Sequence, residues 1–301
     1  MTAPIALFAY ARPDHLRRTI EALRLNTLAN DSDLIVFSDA ARTSDQETGV
    51  ASVRNYLLTI KGFRSVSLHC RPHNFGLARS IITGVTMILE QYERVIVLED
   101  DMVTSPYFLS YMNDALERFA TDERVASIHG YLFPLNEPMP EAFFLPGADC
   151  WGWATWRRGW ALFNPEGQAL LDEIQQRGLV KEFNFGGAYP YSGMLQEQIA
   201  GKNDSWAIRW YASAFLAGKL TLYPGRSLIQ NIGHDATGTH CGADNLYAVE
   251  LSASSINLEG IPVATSTAAL QAFAGFLAST QGGLFKRLKR RLSKFTGIVT
   301  R

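Results

Sequence analysis

The sequence is short of cysteine, of long apolar runs and, towards its end, of acids. Cys70, Cys150 and Cys241 are its three cysteines; they are scattered and form no CxxC pair, which excludes a disulfide framework and a thiolate zinc site. No apolar run approaches the roughly 20 residues needed to cross a bilayer as a helix. The opening MTAPIALFAYARPDH lacks a basic stretch ahead of its apolar residues, so it reads as a first strand and not as a secretion signal. No GxGxxG follows that strand, which disfavours a nicotinamide dehydrogenase. The sparse cysteines predict a reducing, cytoplasmic setting. After Glu259 there is no acid at all, while seven basic residues occur between Lys286 and Arg301. The remainder of the chain carries 21 basic against 29 acidic residues. An acidic body argues against nucleic acid as a partner. Leu284, Leu288, Leu292 and Phe295 fall on one helical face among those basic residues. This pattern suits an interfacial helix on an anionic membrane surface, the inner face of the cell membrane being the expected one. A partner-binding helix and a solubilising tail are the alternatives.

What the sequence does have is a globular balance, 47% hydrophobic and 19% charged, and a regular alternation in its first half. Apolar runs at Ile5–Ala9, Leu34–Phe37, Val66–Leu68, Val95–Leu98 and Val125–Ile128 read as strands. Helical spacing begins at Pro13 and recurs over Glu47–Ile60, Leu77–Tyr92 and Pro106–Phe119. Strands separated by helices imply βαβ crossovers and a mostly parallel sheet between two helical layers, a three-layer α/β/α fold. Ligands of such sheets bind at the carboxyl ends of the strands. That rule selects the loops holding Arg12, Asp39 and Arg42, Asn74 and Arg79, and Glu99-Asp100-Asp101. Further on, helices are expected over 166–178 and 191–217, with a strand at Leu220–Tyr223.

Three consecutive carboxylates after a buried strand are costly unless a cation or dense hydrogen bonding compensates. Carboxylate oxygens suit Mn2+ or Mg2+, which keep one or two protein carboxylates and take other ligands from phosphate and water. The plainer alternative is that these acids cap the next helix. The run Asn74-Phe75-Gly76-Leu77-Ala78-Arg79 places a glycine at a helix start between Asn and Arg, which fits an anion or sugar contact; an ordinary loop is the alternative.

Taken together, Tyr10-Ala11-Arg12-Pro13, Ser38-Asp39, Asn74–Arg79 and Leu98-Glu99-Asp100-Asp101 resemble glycosyltransferases of the GT-A fold, in particular the N-acetylglucosaminyltransferase I type and its bacterial relatives. The resemblance covers residues 3–130 and, more loosely, the part up to 242. It implies a metal-dependent, inverting transfer from a nucleotide-sugar donor, UDP-linked, to a hydroxyl of a glycan or glycolipid. In that resemblance Asp39 contacts the base, Arg12 the base or diphosphate, and Arg79 lies near the donor sugar. Asp101 ligates the metal with Glu99 beside it, and Asp100 holds the donor ribose or sugar. The C-terminal half departs from the family pattern.

A base for the acceptor hydroxyl is expected from that half. Asp204, at a helix start beside Trp206, is the candidate, with Glu197 second; an N-cap is the alternative for Asp204. In the glycine-rich run 231–240, His234 or His240 offers a further metal or phosphate contact. Trp151, Trp153, Trp156 and Trp160 are read either as an acceptor platform, led by Trp151 and Trp153, or as core. The chain is thus expected to divide into a donor half, 1–130, an acceptor half of the same domain, 131–260, and a basic helical tail, 261–301. The rival readings are a sugar-phosphate nucleotidyltransferase and a non-catalytic carbohydrate-binding protein. The first would want a glycine-rich, basic loop after strand one, and Tyr10–Asp14 has no glycine.

Overall fold

The computed structural model describes residues 2–234 and 245–295, with side chains as far as residue 281. Its first half follows the alternation: β1 (Ile5–Ala9), α1 (Pro13–Arg24), β2 (Asp33–Ser38), α2 (Glu47–Leu57), β3 (Ser65–Cys70), α3 (Leu77–Gln91) and β4 (Arg94–Glu99). Then come β5 (Met102–Thr104), α4 (Phe108–Arg118), β6 (Val125–His129), β7 (Ala142–Pro146), β8 (Trp153–Trp156) and α5 (Arg157–Trp160). The remainder is α6 (Gly167–Gln176), α7 (Val180–Phe183), α8 (Tyr191–Ile199), α9 (Trp206–Leu216), β9 (Leu220–Pro224), β10 (Ile229–Asn231) and α10 (Thr267–Phe295).

Eight strands form one sheet in the order β3-β2-β1-β4-β8-β6-β9-β7. The pairs β1–β2, β1–β4, β2–β3 and β6–β9 are parallel, and β7 and β8 run against their neighbours. The fold is therefore the expected three-layer α/β arrangement around a mostly parallel sheet. Alternation of side chains divides β4 between two cores. Ile96 and Leu98 pack with Leu16, Ile20 and Met112 of α1 and α4, whereas Val95 and Val97 pack with Ile81 and Val85 of α3 and Trp210 of α9. A third core joins α6, α8 and α9 to β7, β9 and the first turns of α10 through Leu171, Leu195, Tyr211, Tyr223 and Phe273.

Two elements differ from expectation. The helical stretch read over 191–217 is two helices, and the helix start expected at Asp204 falls one residue later, at Ser205. Gly201 takes a positive φ of 69° after α8, which only glycine adopts without strain, and the chain restarts at Ser205, whose hydroxyl accepts from the Ile208 N–H at 3.3 Å. The tryptophan-rich run supplies β8, an antiparallel strand between β4 and β6 that periodicity did not reveal, because a fully buried strand is apolar on both faces. Among the described residues no helix is long and apolar enough to cross a membrane. Leu284, Leu288 and Leu292 lie on the backbone of α10, but their side chains, and so the proposed membrane face, fall outside the described residues.

Candidate active site

The carboxyl ends of β1 and β4 lie side by side because these strands pair in parallel, Phe8 opposite Glu99. The turn after β4 then carries Asp100 and Asp101 beneath the start of α1. Arg12, the residue before Pro13 opens that helix, reaches back across both: its Nη2 donates to Asp100 Oδ1 at 2.5 Å and to Asp101 Oδ2 at 2.7 Å. Asp100 Oδ2 also accepts the Tyr10 amide at 3.1 Å, and the Asp100 carbonyl accepts the Thr19 hydroxyl at 2.8 Å. Both acids are buried.

Asp101 Oδ1, by contrast, is buried with no hydrogen-bond partner. A buried anionic oxygen left unpaired costs several kcal/mol by order of magnitude, so it marks a place where a ligand belongs. The opposite wall is the chain after β10. β10 pairs antiparallel with β5, Asn231 opposite Met102, and the Ile232 amide donates to the Asp101 carbonyl at 2.9 Å. Gly233 follows, and a Cβ placed on it would come within 2.2 Å of Asp101 Oδ2 and 3.1 Å of Arg12 Nη1. Only glycine lets the backbone approach this closely, a feature the sequence signals only as one glycine among several.

Electrostatics follow from the crowding. Burial is the largest cause raising the Asp100 carboxyl above its ordinary range, with Asp101 adding to it and Arg12 opposing. Glu99 is pushed up to about 8, first by burial and then by Asp101 and Asp100. Burial works against the Arg12 charge, yet Asp100 and Asp101 hold its pKa above the ordinary value. Burial and the neighbouring acids thus oppose charge on Glu99 and Asp100, and Arg12 offsets this only in part.

Asp101 and Glu99 were the acids expected at the metal and Asp100 at the donor; His240, the third expected ligand, lies outside the described residues. Among the described residues no three of His, Cys, Asp and Glu form a ready-made metal cluster. Strand alternation puts Glu99 on the same face of β4 as Val95 and Val97, and Arg12 occupies oxygens of both Asp100 and Asp101. What remains open is Asp101 Oδ1. One carboxylate oxygen fits a Mn2+ or Mg2+ ion whose other ligands come from phosphate and water.

Asp39 is placed differently from a free base contact. Its buried carboxylate accepts the amides of Phe75 at 2.9 Å and Gly76 at 2.9 Å, the Asn74 Nδ2 at 3.2 Å and its own following amide. It thereby ties the loop after β2 to the N-terminus of α3. Asn74 also donates to the Ala40 carbonyl at 2.7 Å. Arg79 is exposed with its guanidinium 4.3 Å from the Phe75 ring centre, and Arg71 lies 4.5 Å from the same ring. Arg42 is exposed on the loop after β2, where its amide donates to the Tyr10 hydroxyl at 2.9 Å. These residues share one rim at the carboxyl ends of β1, β2 and β3.

In the second half, Trp153 is a correction. It is 1% exposed and packed among Trp160, Trp206 and Trp210, so its ring meets no ligand. Trp156 and Trp160 are likewise core. Trp151 is only partly buried and stands with Tyr131 at 4.8 Å, His234 at 5.3 Å and Tyr247 at 5.6 Å, immediately beyond Gly233. Asp204 is not the N-cap of α9, since Ser205 is; it lies exposed, with Oδ1 accepting from Arg209 Nη2 at 3.1 Å. Glu197 is exposed on α8. His240 falls outside the described residues. Asp149, which sequence reasoning passed over, stands two residues before Trp151, next to the buried His129; an acid just ahead of the tryptophan run was the available signal.

No family model matches the chain, and no curated protein matches it. Several solved structures resemble it in part. S. aureus TarS is 14% identical at a TM-score of 0.32, covering 49% of this chain and 25% of that one. S. aureus TarS 1-349 is 11% identical at a TM-score of 0.33, with 57% of this chain and 49% of that one covered. The mannosyltransferase PcManGT from Pyrobaculum calidifontis, in complex with GDP-Man and Mn2+, is 10% identical at a TM-score of 0.37, over 72% of this chain and 70% of that one. The chain thus spans a quarter and about half of the two S. aureus chains.

Proposed function

We propose that the chain is a glycosyltransferase that takes a sugar from a nucleotide-sugar donor, a uridine diphosphate sugar in the first instance, and passes it to a hydroxyl of a glycan or glycolipid acceptor. The observation that carries this reading is Asp101, whose Oδ1 is buried and unpaired while Arg12 clamps its other oxygen and Gly233 closes the wall. An unpaired carboxylate oxygen beside a fixed guanidinium suits a divalent cation together with a diphosphate.

Asp101 would hold the ion through Oδ1. When bound, the ion supplies Lewis-acid neutralisation of charge on the leaving diphosphate. The chain's own residues do the rest. Arg12 is already oriented by two carboxylates and offers its remaining N–H groups to phosphate oxygens. Asp39 holds the amides of Phe75 and Gly76 and so fixes the rim on which Asn74, Arg79 and Arg42 would meet the nucleotide and sugar. Asp100 would reach the donor only through the oxygen edge left by Arg12 and Tyr10. In the acceptor half, Trp151 offers a ring face to a sugar, and Asp204 would accept the proton of the attacking hydroxyl.

The test is calorimetric titration of UDP with Mn2+ and with a chelator. A Kd lower by about tenfold or more with Mn2+ is expected, which corresponds to about 1.4 kcal/mol. Equal affinity in the two conditions refutes the metal assignment, and no UDP binding in either refutes the donor.

A further inference from the structure

The glycosyl-transfer reading uses Trp151 but leaves unexplained a polar cluster beside it. His129, the last residue of β6, is 1% exposed, and its Nδ1 has no hydrogen-bond partner. Its Nε2 lies 3.6 Å from Asp149 Oδ2, beyond hydrogen-bond range. The Tyr223 hydroxyl donates to the same oxygen at 3.3 Å, and Asp149 Oδ1 accepts the Cys150 amide at 2.8 Å. The Asp149 side chain nonetheless keeps 34% of its surface exposed. It is therefore a carboxylate anchored from behind by buried groups, with an open front.

That front belongs to the cleft already described. Cys150, whose amide Asp149 holds, leads directly into Trp151 at the wall beyond Gly233, and burial and then Asp149 push its thiol up. Aromatic rings join the two ends: Trp151 lies against Tyr131, Tyr131 against His129, and His129 against Tyr223 at 5.0 Å. Burial lowers the His129 pKa, with Asp149 opposing.

Resting on the glycosyl-transfer reading, we propose that Asp149 is the specificity-determining residue of an acceptor subsite for an uncharged sugar ring. Two ring hydroxyls donate to its carboxylate while the apolar face of the sugar lies on Trp151. A carboxylate accepts hydroxyl hydrogens strongly because the bonds are charge-assisted, and the aromatic face takes the C–H side of a pyranose. The same negative charge repels a uronate or a phosphate-bearing ring. His129 and Tyr223 are positioning residues that fix the carboxylate toward the cleft.

The experiment uses the full chain with UDP and Mn2+ present. Saturation-transfer NMR is recorded with the methyl β-glycosides of glucose, galactose and N-acetylglucosamine, and with methyl β-D-glucuronide. At least one neutral glycoside is expected to bind the wild type, and the glucuronide is expected to bind more weakly than it. Asp149→Asn, which keeps Oδ1 for the Cys150 amide and sets Nδ2 opposite the Tyr223 hydroxyl, whose oxygen can accept from it, should weaken the neutral glycoside about tenfold or more. It should also narrow the gap to the glucuronide, and leave the UDP titration and melting temperature unchanged. His129→Gln should weaken the glycoside less than Asp149→Asn does. Neutral binding unaltered by Asp149→Asn, a wild type that prefers the glucuronide, or no glycoside binding at all overturns the subsite. Glycoside binding lost with Asp149→Asn in a chain that never binds UDP instead overturns the donor reading and keeps the subsite.

Discussion

At the scale of single residues, the site is a matter of which oxygen is already taken. Strand-end acids were legible in the sequence because three carboxylates after Val95–Leu98 cannot be bland. Their division of labour was not: Arg12 is 88 residues from Asp100 in the chain, and only the parallel pairing of β1 with β4 brings it across both acids. Asp39 shows the same limit, since its four internal donors come from Ala40 and from residues 74–76. The glycine at 233 offers the sharpest test. Gly233→Ala would push a methyl group to 2.2 Å from Asp101 Oδ2, on a backbone that Ile232 pins to the Asp101 carbonyl. Relief means moving either the loop or the carboxylate. The expected outcome is a loss of at least about tenfold in the UDP affinity gained with Mn2+, read by calorimetry, with the melting temperature lowered by only a few degrees. Unchanged metal-dependent affinity would remove Gly233 from the site.

At the scale of elements, the helices and parallel strands of the first half were readable from apolar spacing and from Pro13 at a first helical turn. The later elements were not, for two physical reasons. β8 is buried on both faces and reads as an aromatic cluster, and Trp153 owes its place among Trp160, Trp206 and Trp210 to that strand. The helical stretch expected over 191–217, with a helix start at Asp204, is α8 and α9, and the cap of α9 is Ser205, one residue further on. Capping supplies a measurement. Ser205→Ala removes the acceptor for the Ile208 amide and should cost about 1 kcal/mol of stability in urea unfolding. Asp204→Ala should cost less, because its partner Arg209 keeps the carbonyls of Ser205 and Pro165 as acceptors. Equal losses would mean that Asp204 contributes to the helix start after all.

At the scale of the whole molecule, stability should carry a signature of His129. Burial lowers its folded pKa below the ordinary 6.5, with Asp149 only partly offsetting this. Between the two values the unfolded chain binds a proton that the folded chain does not, so acid favours unfolding. The stability contribution is present above pH 6.5 and lost as the pH falls toward the folded value, by at most about 1.4 kcal/mol per pH unit. Comparing urea midpoints at pH 7 and pH 5, His129→Phe should lose less stability on acidification than the wild type. An identical loss in both would mean that His129 does not titrate differently on folding. The sheet order has a further consequence, for how the chain comes together. β6 reaches β4 only through β8, so a nascent chain that has emerged as far as His129 has two apolar strand edges and nothing yet to join them. Trp153–Trp156 is the closing stave, and until it arrives those edges are exposed to pairing with other chains during synthesis.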